Sequence, residues 1–175
     1  MNLTKPQRGV ATGMAAGILA TALGLSLTPR VLAPSTTLQS RLDVVAVSVL
    51  LLAIPLAVSV GRLAAHRFHT PDDLDGSGLT RGTDRARLLQ ALLQNTLEQL
   101  ALALPVYLAW VLLAPAELAG GCAVAGMLFL IGRLLFFSGY SRGASSRALG
   151  FALTFYPTLA LLIGALAFAI RRLIS

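Results

Sequence analysis

The chain has 175 residues, of which 56% are hydrophobic and only 12% are charged, and it carries a formal net charge of +7 at pH 7. Because soluble globular domains contain about a quarter charged residues, this composition excludes an ordinary water-soluble domain. The basic residues lie singly or in small groups between apolar stretches rather than along one soluble face, which argues against nucleic-acid binding. We interpret them instead as topology signals and as contacts for anionic lipid.

Five stretches are long and apolar enough to cross a bilayer, which requires about 20 predominantly apolar residues. No alternating strand pattern accompanies them, so the predicted fold is an all-α integral membrane protein. In chain order the predicted spans cover residues 9–28, 44–61, 88–114, 118–140 and 149–170.

The first span has two interpretations. Basic residues precede a run of small and apolar residues, as in a secretory signal peptide, and residues 31–33 (VLA) would form the cleavage site. Pro34 directly after that site disfavours cleavage, so we favour a retained transmembrane helix. The predicted organisation is then an extra helix and outer loop over residues 1–43, followed by a four-helix membrane domain over residues 44–175.

The positions of lysine and arginine predict the topology. With the N-terminus in the cytoplasm, the inner segments hold nine basic residues and the outer segments four, in agreement with the positive-inside rule. The C-terminus is then outside, and we expect a bacterial inner membrane. The inner residues are Lys5, Arg8, Arg62, Arg67, Arg81, Arg85, Arg87, Arg142 and Arg147, and the outer ones are Arg30, Arg41, Arg171 and Arg172.

The longest connection, residues 62–87, is predicted to be cytoplasmic and to be the most mobile part of the chain. It contains HTPDDLDGSG, which is rich in turn-forming and flexible residues. Its two histidines lie near three aspartates, but we expect these side chains to be solvated and predict no metal site. They are His66, His69, Asp72, Asp73 and Asp75.

Polar residues inside the predicted spans are the candidate functional residues, because they are costly to place in a bilayer. In the third span Asn95 and Glu98 are three residues apart and share a helix face. In the fourth span Arg133 lies two turns before Tyr140, and Arg147 follows near the start of the fifth. One interpretation is purely structural, with Glu98 and Arg133 forming an ion pair between helices.

The order of these residues resembles a known family. QNTLEQ at residues 94–99 and GRLLFFSGY at residues 132–140, followed by Arg147, are similar to the MAPEG superfamily of membrane-associated proteins in eicosanoid and glutathione metabolism. The similarity is closest to the microsomal glutathione transferase branch and extends over about residues 44–170. It implies a four-helix transmembrane protomer that assembles as a homotrimer and binds glutathione between protomers near the cytoplasmic side. The first span would be an addition to this fold.

The resemblance also implies roles for individual residues. Arg147 matches the arginine that resembles the thiolate stabiliser of leukotriene C4 synthase, and it is the predicted catalytic residue. A permanent cation beside a thiol with a pKa of about 8.5 favours the nucleophilic thiolate. The predicted glutathione-binding residues are Asn95, Glu98, Arg133, Tyr140, Arg62 and Gln94.

Two residues depart from the family pattern. Ala91 stands where eicosanoid-pathway members carry an arginine, and Phe136 stands where members often carry tyrosine or histidine. Three functions therefore stay open. The first is a glutathione-dependent transferase or peroxidase acting on lipophilic electrophiles, and the second is a non-catalytic relative that binds lipid or thiol. The third is a small transporter with Glu98 and Arg133 lining its pathway, although the internal repeat common in transporters is absent.

Overall fold

The computed structural model describes residues 3–31, 37–76 and 78–174, and all regular structure within these ranges is helical. Five helices are long and apolar enough to cross a membrane, where the length of the fourth includes the short 3₁₀ turns beside it. The predicted fold class is therefore confirmed. The helices are α1 (Lys5–Val31), α2 (Leu38–His69), α3 (Asp84–Leu113), α4 (Gly121–Gly139) and α5 (Ala144–Ile174).

Helices α2 to α5 form a four-helix bundle, and α1 is the additional helix. Both α2 and α5 pack against α3 and α4, whereas α3 and α4 contact each other little and occupy opposite corners. The core between them contains Leu52, Tyr107, Phe129 and Leu161, one from each helix and all fully buried. Helix α1 lies outside this core, mainly against α5.

The helices extend beyond the apolar runs that predicted them. Because α2 begins at Leu38, it starts before the predicted domain boundary at residues 43–44, and that division stays a prediction. At its other end α2 continues to His69, so the connection predicted over residues 62–87 is shorter than expected and covers residues 70–83. The predicted cleavage site lies mostly outside the described residues.

The connection between α2 and α3 is organised around Asp73, whose side chain is 1% exposed. Its carboxylate accepts hydrogen bonds from the Thr83 backbone N–H at 2.7 Å and from the Thr83 hydroxyl at 2.6 Å. The same carboxylate lies 2.9 Å from Nε2 of His66. The hydrogen bonds from Thr83 hold the pKa of Asp73 below its ordinary value.

The expectation of a solvated acidic loop is therefore wrong for Asp73, although Asp72 and Asp75 are exposed. Thr83, which binds Asp73, also caps α3, because its hydroxyl accepts a hydrogen bond from the backbone N–H of Ala86 at 3.2 Å. One carboxylate thus connects the last turns of α2 to the first turn of α3. Among the residues that the structure describes, no group of histidine, cysteine and acidic side chains is arranged to hold a metal ion.

Candidate functional site

The site is built where α4 ends and α5 begins. The two backbones approach so closely that a Cβ on Gly150 would overlap the backbone nitrogen of Phe136. The turn between the helices contains Gly143 at a φ of 100°, a conformation that favours glycine. This tight crossing brings Arg147 against Tyr140, with its guanidinium carbon 4.4 Å from the centre of the phenol ring. The contact has the geometry of a cation–π interaction.

Arg133 is fully buried on the same side of the bundle. Its NH1 atom donates a 2.9 Å hydrogen bond to Oδ1 of Asn95, and its guanidinium lies 4.2 Å from the ring centre of Phe136. Its Nε and NH2 atoms have no hydrogen-bond partner in the described part of the chain. Because arginine has only donors, Asn95 must turn its amide oxygen toward Arg133, which leaves its NH₂ group free to donate to a ligand.

A cavity of about 460 Å³ opens beside these residues, and we call it the tyrosine cavity. Asn95, Tyr140 and Arg147 line its polar part. Phe151 and Phe155, one and two turns after Arg147 on α5, line an apolar part together with residues of α1. A mainly apolar cavity with a few convergent polar groups is typical of a small-molecule site, and this one suits a ligand with a polar head and an apolar body.

The predicted ion pair between Glu98 and Arg133 is wrong. Glu98 is exposed on α3, and its Oε1 atom accepts a 3.0 Å hydrogen bond from Nε2 of Gln94. Asn95 takes its place as the partner of Arg133, and a neutral amide accepts the bond from NH1 without the desolvation of a second charge. Glu98 and Arg133 therefore face different surroundings in the protomer.

Sequence reasoning missed a second cavity, of about 320 Å³, between the α2–α3 connection and the first turns of α3. We call it the loop cavity. Its basic and amide side chains surround Ala91, and NH2 of Arg67 donates to Oε1 of Gln90 at 3.3 Å. The signal in the sequence was the cluster of arginines in this connection together with the missing arginine at position 91. The cavity is lined by Arg67, Arg81, Arg87, Gln90 and Gln94 among others.

The predicted site residues are therefore divided among several places. Asn95, Tyr140 and Arg147 line the tyrosine cavity with Arg133 behind Asn95, whereas Gln94 lines the loop cavity. Three predicted residues line neither cavity: Arg133 contacts Asn95, Glu98 contacts Gln94, and Arg62 lies apart from both cavities. Arg62 is exposed and lies beside a third cavity of about 390 Å³ with His66, His69 and Arg85.

The fold and these cavities define a multi-pass integral membrane protein with a polar site at one end of a four-helix bundle. The profile of the MAPEG family matches residues 42–167, and the chain belongs to that family. It is also similar to an uncharacterized protein, sll1147, of Synechocystis sp., with 34% identity over 116 residues that cover 66% of this chain and 78% of that protein. No solved structure matches the chain. Helix α1 lies outside the matched residues.

Proposed function

We propose that this protein is a glutathione-dependent transferase or peroxidase of the microsomal glutathione transferase type, acting on lipophilic electrophiles from the bilayer. The observation that carries the proposal is the shared cavity of Asn95, Tyr140 and Arg147 with its aromatic continuation along α5. Its polar part suits a peptide thiol, and its apolar part suits a hydrophobic second substrate.

Arg147 supplies the positive charge that the chemistry needs. It is half-buried, stacked on Tyr140, and forms no ion pair within the described residues. A guanidinium keeps its charge at all physiological pH values, so it stabilises a nearby thiolate without a general base. Lowering a thiol pKa by about two units corresponds to about 2.7 kcal/mol, a reasonable contribution from one cation screened from bulk water.

The transfer step with an α,β-unsaturated carbonyl compound is a conjugate addition. The thiolate sulfur attacks the β carbon and forms the C–S bond, the π electrons move to the carbonyl oxygen as an enolate, and the α carbon takes a proton from water. The proton released when the thiol ionises balances that uptake, so no leaving group and no oxidant are required. Asn95 contributes by donating a hydrogen bond from its NH₂ group to the bound tripeptide, since its Oδ1 atom accepts from Arg133.

The loop cavity offers a replacement for the arginine that eicosanoid-pathway members carry at the position of Ala91. Glutathione has two carboxylates, and guanidinium groups bind carboxylates well. Arg67, Arg81 and Arg87 line this cavity beside Ala91. We propose that the tyrosine cavity of one protomer and the loop cavity of its neighbour together hold the tripeptide in a homotrimer, on the cytoplasmic side of a bacterial inner membrane.

The test is the ionisation of bound glutathione in detergent-solubilised protein, measured by ultraviolet thiolate absorbance between pH 5 and pH 9. We expect Arg147→Ala to bind glutathione but to lose the thiolate signal near neutral pH, and Arg147→Lys to retain part of it. Arg142→Ala is the matched control, because Arg142 is a neighbouring exposed arginine that does not line the tyrosine cavity. An unchanged signal in Arg147→Ala would reduce Arg147 to a contact for lipid phosphate.

The second candidate function is a non-catalytic MAPEG protein that binds lipid or thiol, and Phe136 is the observation that favours it. Where relatives often carry a hydrogen-bonding side chain, this ring covers the guanidinium of Arg133. Under that function wild-type protein binds glutathione or lipid, shows no thiolate at neutral pH, and gives no turnover with any electrophile. The titration above therefore separates the two candidates before any second substrate is known.

A further inference from the structure

Helix α1 contributes directly to the tyrosine cavity. Val10 and Met14 line it opposite the polar residues of α3, α4 and α5. Since the family match begins at residue 42, these two side chains are additions that the matched bundle does not supply. They make α1 part of the candidate site rather than a peripheral anchor.

Close backbone contact seats α1 on α5. A Cβ added to Gly13 would lie 2.8 Å from the Cβ of Ala148, and one added to Gly17 would overlap Ala152. Small residues on both helices allow this approach, as is common between transmembrane helices. Ala148 itself lines the tyrosine cavity, so the position of α1 and the shape of the cavity are coupled.

The cavity continues as a groove between α1 and α5. Arg147 and Tyr156, both in its α5 wall, are nine residues apart, which is about 14 Å along the helix. Tyr156 also lines a further cavity of about 310 Å³, whose walls are almost wholly apolar and include Ile18 and Ile163. A polar head at Arg147 and an apolar tail beside Phe151 and Phe155 would both lie in the tyrosine cavity, and a tail that reaches Tyr156 would lie beside the further cavity.

We propose that the α1–α5 groove holds the alkyl chain of the electrophilic substrate and that Met14 determines how long a chain the site accepts. The inference rests on the proposed function, because it places the thiol at Arg147. The substrate class is then an electrophile with one linear alkyl chain, whose reactive carbon lies near Arg147 and whose chain runs toward Tyr156. The chain occupies the groove because its polar end is held where the groove begins.

The experiment measures binding of glutathione and of a series of S-alkylglutathiones, from methyl to dodecyl, to the full-length protein by calorimetry. Each methylene buried in the groove strengthens binding about fourfold, until the chain outgrows the cavity. Met14→Trp fills the groove, so the gain in affinity per methylene, measured relative to glutathione in the same variant, stops at a shorter chain. Ile18→Trp, in the further cavity, reduces the gain only for the longest chains.

Leu19→Trp is the matched control, since Leu19 follows Ile18 in α1, is 61% exposed and lines neither the tyrosine cavity nor the further cavity. Gly17→Leu pushes α1 away from α5 and removes the dependence of affinity on chain length. If Gly17→Leu does not fold, Met14→Trp still tests the inference. If glutathione binds but Met14→Trp and Leu19→Trp give the same chain-length profile, the inference is overturned and the proposed function stands. If neither glutathione nor any derivative binds wild-type protein, both are overturned.

Discussion

Replacing Asn95 with leucine isolates the contact that orders the polar part of the tyrosine cavity. Arg133 is fully buried, and among the described residues the amide oxygen of Asn95 is the only hydrogen-bond acceptor that its side chain contacts. Leucine matches asparagine in size but offers no acceptor, so the variant leaves a guanidinium buried without a polar partner. We expect Asn95→Leu to be destabilised for this reason.

The expected magnitude follows from the type of contact. A hydrogen bond to a charged group contributes about 1.5–3 kcal/mol, and a buried charge deprived of its partner lies at the upper end of that range. The ring of Phe136, 4.2 Å from the guanidinium, compensates in part through a cation–π contact. We therefore expect a loss of about 2 kcal/mol in the free energy of unfolding. In Asn95→Leu/Arg133→Leu the charge is gone, and most of that loss should be recovered.

Chemical unfolding in detergent, followed by the fluorescence of Trp110, measures these changes. Trp110 is the single tryptophan and is 8% exposed, so its emission reports on packing of the bundle. Glu117→Gln is the control, since Glu117 is exposed and lies in the connection between α3 and α4. A loss under 0.5 kcal/mol in Asn95→Leu, or an equal loss in Glu117→Gln, would refute the assignment of Asn95 as the partner of Arg133.

Three further predictions concern other parts of the bundle. Because hydrogen bonds lower the pKa of Asp73, its contribution to loop stability is present above pH ~4 and is lost as pH falls through the lowered value. Hydrogen exchange of the Thr83 amide, corrected for its intrinsic rate, should therefore become faster at that low pH. In Asp73→Ala this exchange should already be fast at neutral pH. Arg81→Ala should weaken glutathione binding about tenfold by calorimetry, whereas Arg85→Ala, outside the loop cavity, should leave it unchanged. Gly150→Val should prevent the close crossing of α4 and α5 and abolish folded protein on size-exclusion chromatography, and a folded variant would contradict the crossing.

The number and approximate position of the helices could be predicted because bilayer thickness fixes the length of an apolar run. The ends of the helices could not be predicted in this way, because bilayer thickness does not constrain residues that project beyond the membrane. Local hydrogen bonds determine where those helices end. Residues 62–69 read as a loop by their charge, yet they continue α2. His66 near that end contacts Asp73, which is itself fixed by hydrogen bonds from Thr83, ten residues further along the chain. No periodic pattern reveals these contacts.

The candidate site was predictable as a group of residues but not as a set of contacts. Sequence spacing predicts that Asn95 and Glu98 share a face of α3, but it does not fix how α3 is rotated relative to α4, and only Asn95 bonds Arg133. Since each residue turns a helix by about 100°, a modest rotation decides whether Asn95 or Glu98 faces Arg133. The contribution of Met14 was not predictable either, because nothing in the sequence shows which face of an added helix meets the bundle.

The outward position of Glu98 has a consequence for the state of the protein in the membrane. α3 has 30 residues and is therefore about 45 Å long, against a hydrocarbon core of about 30 Å. Glu98 lies about 21 Å from the start of the helix, so whichever end protrudes, its carboxylate falls within the core and on the surface of the single protomer. A hydrogen bond from Gln94 does not remove the cost of facing a charge toward lipid. A neighbouring protomer that covers this face with polar groups would remove that cost, which supports the proposed homotrimer and a site shared between its protomers.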